Sequence, residues 1–230
     1  MAKATAERFV AEGGSAVVVD LDASRAEAVA ASLGDRAVGL GADVSDETSV
    51  NAVAAGLDRF GRLDAVLNAA GHAEFGPIEE WSVERWNRMM TVPRGRHVLV
   101  CRCARRAPLH RESIVNIAST AALTANNNSA PYAPRRGDRR LQPSAVEEAA
   151  PDVRVNCVAP GRTAPGMTEP LFTARGATAA EGEQRFAQGI LLGRLGEASE
   201  LAAPICFLLS SDASFMTGSL MVVDGGETAV

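Results

Sequence analysis

Ser119, Tyr132 and Arg136 are the residues whose types and spacing most directly suggest chemistry. Tyr132 is the single tyrosine of the 230 residues, in the stretch PYAPRRG (131–137), and Ser119 closes an apolar run thirteen residues earlier. A serine hydroxyl and a tyrosine phenol can flank a substrate carbonyl, one orienting it and the other donating a proton as hydride arrives. A free phenol titrates near pH 10, so it needs a neighbouring cation to work at neutral pH. On a helix the residue four further on shares the same face, and that residue is Arg136. The competing reading is an arginine-rich surface loop that happens to hold a tyrosine.

Asp20 ends the apolar run SAVVVD (15–20), where dinucleotide folds use a carboxylate to accept hydrogen bonds from the adenosine ribose. Its charge would repel a 2′-phosphate and so favours NAD over NADP. The plainer alternative is an aspartate approaching the helix that starts near Ser24. Asn68, Ala69, Ala70 and Gly71 follow another apolar run, and small residues there would let a cofactor lie against the backbone. His72 could touch substrate but reads more simply as an exposed loop residue. His97 and His110 have no partner at metal-ligand spacing, and Trp81 and Trp86 read as packing anchors.

These groups need a scaffold, and the sequence supplies alternating short apolar runs and longer helical patterns, the signature of a parallel sheet with crossover helices. The strand candidates are 15–20, 36–43, 64–71, 113–120, 153–160 and 219–226. Most are apolar throughout, as strands covered on both faces should be. Ser24 with Glu27 predicts a capping box that opens a helix stopping at Gly34. Ser45 is the expected cap of the next, in which Val50, Val53, Leu57 and Phe60 share a face before Gly61. The first fourteen residues already read as a helix with Phe9 and Val10 inward, with no strand before it. From about Thr163 to Leu192 a long stretch of small and polar residues suggests a lid or a disordered insertion.

Composition narrows the function further. A length of 230 residues with 47% hydrophobic and 22% charged residues fits one domain, 1–230. A net charge of -5 argues against a nucleic-acid partner, which needs a basic face. Cys101, Cys103, Cys157 and Cys206 form no CxxC pair and read as reduced thiols of a cytoplasmic protein without a structural metal. No apolar run approaches the roughly 20 residues that cross a bilayer, so no membrane partner is expected.

Together these residues resemble the short-chain dehydrogenase/reductase family over almost the whole chain. The specific matches are VVVDLD (17–22), ADVSD (42–46), RLDAVLNAAG (62–71), SIVNIAS (113–119), VRVNCVAPGRT (153–163) and the block 193–226. The resemblance implies a three-layer α/β/α sandwich of Rossmann-like, doubly wound parallel type, with the opening strand and glycine-rich loop missing. It implies an oxidoreductase moving hydride between NAD(H) and a small alcohol or ketone, commonly as a homotetramer or dimer. By the same likeness Asp20 would hold the adenosine ribose and Asp43 and Val44 the adenine. Asn68, Ala69, Ala70 and Gly71 would line the cofactor, and Pro160, Gly161 and Thr163 would meet its nicotinamide end. Ser119 and Tyr132 fall on the catalytic serine and tyrosine.

Departures from the pattern fall in the same region. Pro93 stands where the family has an asparagine, Arg136 replaces the lysine of YxxxK, and Pro165 stands where a threonine often contacts the cofactor. Lys3 is the only lysine. Arginine keeps the charge but is larger and does not deprotonate, which implies impaired turnover. Arg and Pro crowd 93–111 and 134–143 between well-matched flanks, the pattern local reading-frame shifts would leave. The alternative functions are a non-catalytic oligomeric scaffold, and a methyltransferase, against which the Ser119 and Tyr132 spacing argues.

Overall fold

In the computed structural model, which describes residues 1–56, 59–71, 74, 76–89, 109–124, 153–164 and 178–229, the apolar runs become parallel strands and the stretches between them helices. Helix α1 (Ala2–Ala11) leads into β1 (Ala16–Asp20), α2 (Ala23–Leu33), β2 (Ala37–Gly41), α3 (Glu47–Gly56) and β3 (Leu63–Asn68). Then come β4 (Leu109–Ile117), β5 (Val153–Pro160), the short β6 (Thr163–Ala164), α4 (Ala179–Ala187), β7 (Gly196–Glu197), α5 (Ala198–Leu209) and β8 (Leu220–Val223). Strands β3, β4, β5 and β8 form a parallel sheet in that order, while β1 and β2 form a separate parallel pair. This is a Rossmann-like α/β fold with parallel strands, and among the described residues no strand precedes α1.

Several local expectations need correction. The cap of α2 is Asp22, whose carboxylate accepts from the Ser24 amide at 3.0 Å and from its hydroxyl at 2.6 Å, so Ser24 is a donor inside the first turn. Ser45 likewise gives its amide and hydroxyl to Asp43 at 2.8 and 2.6 Å. Asp46, next to the start of α3, accepts from the Ser49 amide at 2.7 Å. An aspartate carboxylate offers two acceptor oxygens where a serine hydroxyl must share one, and it is also favoured by the helix dipole. The third strand ends at Asn68, so Ala69 to Gly71 lie beyond it, and the fourth runs from Leu109 to Ile117, so Ser119 also lies beyond a strand end. The supposed long loop after Thr163 holds β6 and α4, the latter opened by a reciprocal Thr178–Glu181 capping box, while 165–177 lie outside the described residues.

The main core forms where α5 meets the centre of the larger sheet. Val115, Ile117 and Val158 pack against Leu201, Ile205 and Leu208, with Met1, Leu67 and Ala69 at the margin. Burying such side chains contributes roughly 1.5–3 kcal/mol each. Phe9 and Val10 are only half-buried, and the residue α1 buries most is Thr5, 3% exposed. Its small side chain lets α1 approach α5 closely enough for the Cys206 thiol to reach the Thr5 carbonyl at 3.8 Å. Burial raises the Cys206 thiol above its ordinary pKa, so it stays a neutral packing group.

Polar bonds fix the other end of α5. Ser113 donates to the Leu208 carbonyl at 2.7 Å, and the Arg154 guanidinium reaches the Leu208 and Ser210 carbonyls at 3.0 and 2.9 Å. These carbonyls belong to the helix end that has no intrahelical partners, where a cation is also favoured. Two residues on, fully buried Asn156 donates to the Met216 carbonyl at 2.7 Å and accepts from the Ser219 amide at 3.1 Å.

Helix α2 rides directly on β2 because Gly39 has no side chain. A Cβ there would sit 2.4 Å from the Ala26 carbonyl carbon and the Glu27 nitrogen, backbone that cannot step aside. Gly39→Ala is expected to cost about 2 kcal/mol by overpacking. Chemical denaturation of the purified variant checks this, and a midpoint unchanged from wild type would refute the tight packing.

Candidate active site

Parallel strands deliver their C-terminal ends to one edge, and ligands of open α/β sheets sit in the crevice outside that edge. Strands β3, β4 and β5 end at Asn68, Ile117 and Pro160, with Ala69, Ser119 and Gly161 just beyond. Met1, like Leu67 and Ala69, lies at the margin of the main core, and after α1 a short turn with Gly13 at φ 99° starts β1, which ends at Asp20.

Asp20 is exposed, and one carboxylate oxygen accepts from the Asp22 amide at 3.0 Å. Asp43 lies just past β2 with its carboxylate turned into its own loop, where the Ser45 hydroxyl and amide hold it below the ordinary pKa. Its amide donates to the Ser49 hydroxyl at 2.9 Å, and Val44 beside it is half-buried. The bonds of the Asp43 side chain are thus local to the turn between β2 and α3.

The centre of the edge is built around a pair of amides. Asn68 and Asn116 are register partners on β3 and β4, 4% and 7% exposed, and the Asn68 Nδ2 donates to the Asn116 Oδ1 at 2.8 Å. Ala69 is half-buried, while Ala70 and Gly71 are exposed. Ser119 caps the one-turn helix Thr120–Ala122, its hydroxyl oxygen accepting from the Ala121 amide at 3.2 Å. A hydroxyl used as acceptor in this way keeps its own hydrogen to donate.

Beyond β5 the chain is pinned to the stretch after β8. The Gly161 amide donates to the Val223 carbonyl at 2.9 Å, and a Cβ on Gly161 would meet Asp224 Cα at 2.7 Å. Asp224 in turn accepts from the Gly226 amide at 2.9 Å and from the Thr228 amide and hydroxyl at 2.8 and 2.7 Å. Burial pushes its carboxyl up, yet these bonds outweigh burial and hold it below its ordinary pKa. Glu227 pairs with Arg162 at 2.8 Å and accepts from the Thr120 hydroxyl at 3.4 Å, linking the ends of β4 and β5. Arg162 also donates to the Phe186 carbonyl of α4 at 2.8 Å.

The structure thus brings Asn68, Ser119, Pro160 and Gly161 to one edge, with Thr163 two residues further along, while Asp20 ends β1 of the separate pair. Tyr132 and Arg136, like Pro93, His72, His97 and Pro165, lie outside the described residues. A cavity of about 120 Å3 is lined by Thr163, Arg194, Glu200, Leu201 and Asp224 among others, and Ser119 is not part of its lining. Sequence reasoning missed Asn116 and the Arg162–Glu227 pair. Asn116 left a visible signal, because VLN and IVN set the same amide at or next to the end of an apolar strand; the sequence separation of 107 between Thr120 and Glu227 left none. Among the described residues no cluster of His, Cys, Asp and Glu could hold a metal, and no helix is long and apolar enough to cross a membrane.

Comparison with known proteins agrees with this architecture. A family model described as enoyl-(acyl carrier protein) reductase matches residues 1–228. The chain is 34% identical to an inactive 2-(S)-hydroxypropyl-CoM dehydrogenase 2 of Xanthobacter autotrophicus, covering 98% of this chain and 100% of that one. It is 35% identical to a meso-2,3-butanediol dehydrogenase of Serratia marcescens, covering 100% of this chain and 90% of that protein. A crystal structure of a glucose/ribitol-type member of the short-chain dehydrogenases/reductases from Brucella melitensis superimposes with a TM-score of 0.89 at 34% identity, covering 98% of this chain and 91% of that one.

The amide pair makes a direct prediction. Asn116→Ala leaves Asn68 buried without its acceptor and should cost about 1–3 kcal/mol. Adding Asn68→Ala should cost much less than the two single losses combined, since the orphaned group is then gone. A double-mutant cycle by denaturant unfolding measures this, and strict additivity would show that the bond is not formed.

Proposed function

Since the chain belongs to the short-chain dehydrogenase/reductase family, we propose that it transfers hydride between NAD(H) and a small alcohol or ketone. The observation that carries the reading is the edge at which Asn68, Ser119 and Gly161 end or follow their strands, together with Asp20 at the end of β1.

The described residues fit a dinucleotide. Asp20 has one carboxylate oxygen engaged by the Asp22 amide, leaving the other for a ribose hydroxyl and disfavouring a 2′-phosphate. The first turn of α1 has no side-chain cap, and the amides of a helix's first turn suit a pyrophosphate. Asp43 and Val44 would flank the adenine, Asn68 to Gly71 would line the ribose side, and Pro160, Gly161 and Thr163 would meet the nicotinamide end. The bound nicotinamide supplies the site that accepts or gives hydride.

The protein's own groups handle orientation and the proton. Ser119 donates its hydroxyl hydrogen to the substrate oxygen, its own oxygen being steadied by the Ala121 amide. Tyr132 takes the proton from the alcohol as hydride leaves carbon, and returns it in the reverse direction. Arg136 would supply the positive charge that the family's lysine provides but could not pass the proton on, which would slow turnover. Names of relatives that refer to 2,3-butanediol and 2-hydroxypropyl-CoM favour a small secondary alcohol. Exposed Phe207, Phe215 and Val222 support assembly as a homo-oligomer, a dimer or tetramer.

A second reading, a non-catalytic scaffold of the same assembly, is favoured by Pro93 and Arg136 at positions where the family pattern has asparagine and lysine.

Fluorescence titration with NADH tests the proposal. Saturable binding is expected, weakened about tenfold or more by Asp20→Ala, a change of about 1.4 kcal/mol, with NADPH binding more weakly than NADH. A folded oligomer with no affinity for NADH would overturn the proposal and leave the scaffold. In turnover assays with secondary alcohols, Arg136→Lys should raise kcat by about tenfold or more at unchanged NADH affinity. Equal or lower kcat in that variant would remove Arg136 from the mechanism.

A further inference from the structure

The Glu227 carboxylate stands between the segment that follows β4 and the segment that follows β5. Its Oε1 pairs with the Arg162 Nε at 2.8 Å, and its Oε2 accepts from the Thr120 hydroxyl at 3.4 Å. Oε2 is also an atom that a Cβ on Gly161 would meet, at 3.1 Å, so the glycine leaves room for the carboxylate beside the end of β5. The Glu227 side chain is only 12% exposed.

Each of these contacts lies one residue from a group with a role in the reading above. Thr120 follows Ser119 and opens the one-turn helix that Ser119 caps. Within that turn the Ala121 amide donates to the Ser119 hydroxyl oxygen at 3.2 Å, and the Leu123 and Thr124 amides donate to the Thr120 carbonyl at 2.8 and 3.1 Å. Ala121 packs against fully buried Met89. Ser119 and Thr120 are thus parts of one small rigid turn. On the other side, Arg162 lies between Gly161 and Thr163; its carbonyl accepts from the Gly196 amide at 3.0 Å, and Thr163 pairs with Gly196 in the β6–β7 ladder. Glu227 itself is fixed by a turn centred on Asp224. Its amide donates to the Asp224 carbonyl at 3.2 Å, while Gly226 and Thr228 on either side donate to the Asp224 carboxylate.

Stability alone does not account for this arrangement. Taking a carboxylate and a guanidinium out of water costs about as much as their pairing returns, and apolar side chains of similar volume would often serve as well. What the ion pair adds is a fixed length and direction between two strand ends. Those are the quantities a reaction between two bound ligands depends on, since a misplacement of about 1 Å can slow the chemical step about a hundredfold.

We propose, on the basis of the hydride-transfer reading above, that Glu227 is a positioning residue. It sets the separation between the Ser119 hydroxyl, which orients the substrate oxygen, and the segment from Pro160 to Thr163, which meets the nicotinamide. It acts through Thr120 on one side and through Arg162 on the other, so its loss leaves each ligand bound and slows the transfer between them.

Steady-state kinetics of the full-length protein with a small secondary alcohol, unlabelled and deuterated at its carbinol carbon, test this alongside NADH titration. Glu227→Gln keeps the size of the side chain and removes its charge. It should lower kcat about tenfold or more while KM for the alcohol and Kd for NADH change less than about twofold. The deuterium isotope effect on kcat should be at least that of wild type, because hydride transfer is the step that slows. Thr120→Val breaks one side of the link without touching the ion pair and should lower kcat about threefold or more. The double variant should be no slower than Glu227→Gln alone, as expected of residues that act in one network. Should Glu227→Gln fail to fold, Thr120→Val still decides, by the same split between kcat and KM. A wild-type chain without turnover removes the hydride-transfer reading and this role with it. Where wild type does turn over, three results overturn the role of Glu227 alone and leave that reading standing: an unchanged kcat in Thr120→Val, a loss carried by KM or Kd, or a smaller isotope effect.

Discussion

Helix α1 is what makes one body of two sheets. Among the described residues the β1–β2 pair shares no strand ladder with the β3–β8 sheet, and α1, which touches both α2 and α5, bridges them. That bridge works because Thr5 is small where the helices cross and Cys206 faces it. A bulkier residue at either position would push α1 outward and swing β1, with Asp20 at its end, away from Asn68. The geometry of the candidate cofactor edge is therefore set by a contact at a helix crossing on the side of the sheet, and not only by the residues at the edge itself.

Along that edge, strand ends are tied in pairs by different means. Asn68 and Asn116 join β3 to β4 through a buried amide bond, whose specificity comes from the cost of leaving either group unpaired. Thr120, Glu227 and Arg162 join β4 to β5 through the segment after β8, and Arg162 extends the tie to α4. Gly161 lets the strand ends close up where any side chain would strike Asp224. The strand ends of the larger sheet are thus tied to one another, whereas β1 pairs with β2 alone among the described strands.

What the sequence revealed follows from the range of the interactions involved. Parallel strands covered on both faces are nearly unbroken apolar runs, so β1, β5 and β8 could be read to within a residue or a few. Caps were misread because Ser24 and Ser45 have the right type at a plausible position, while Asp22 and Asp46, with the stronger acceptors, stand just before the helices. The stretch after Thr163 looked structureless because its composition is small and polar, yet the Thr178–Glu181 box that opens α4 was present in the sequence. Asn116 could have been found from its likeness to Asn68, but the partners of Glu227 could not, since nothing local to residue 227 signals Thr120. Asp20 and Ser119 were legible because each directly follows or ends an apolar run.

Arg154 has a consequence for how the molecule comes apart. Its guanidinium on β5 holds the last carbonyls of α5, and Asn156, on the same face of the strand, holds the turn that leads into β8. Fraying of α5 from its C-terminal end must uncover Arg154, and slippage of β5 by one residue would turn both side chains to the opposite face. Neither event can occur alone. Strand β5, helix α5 and strand β8, which these bonds join, accordingly open as one cooperative unit.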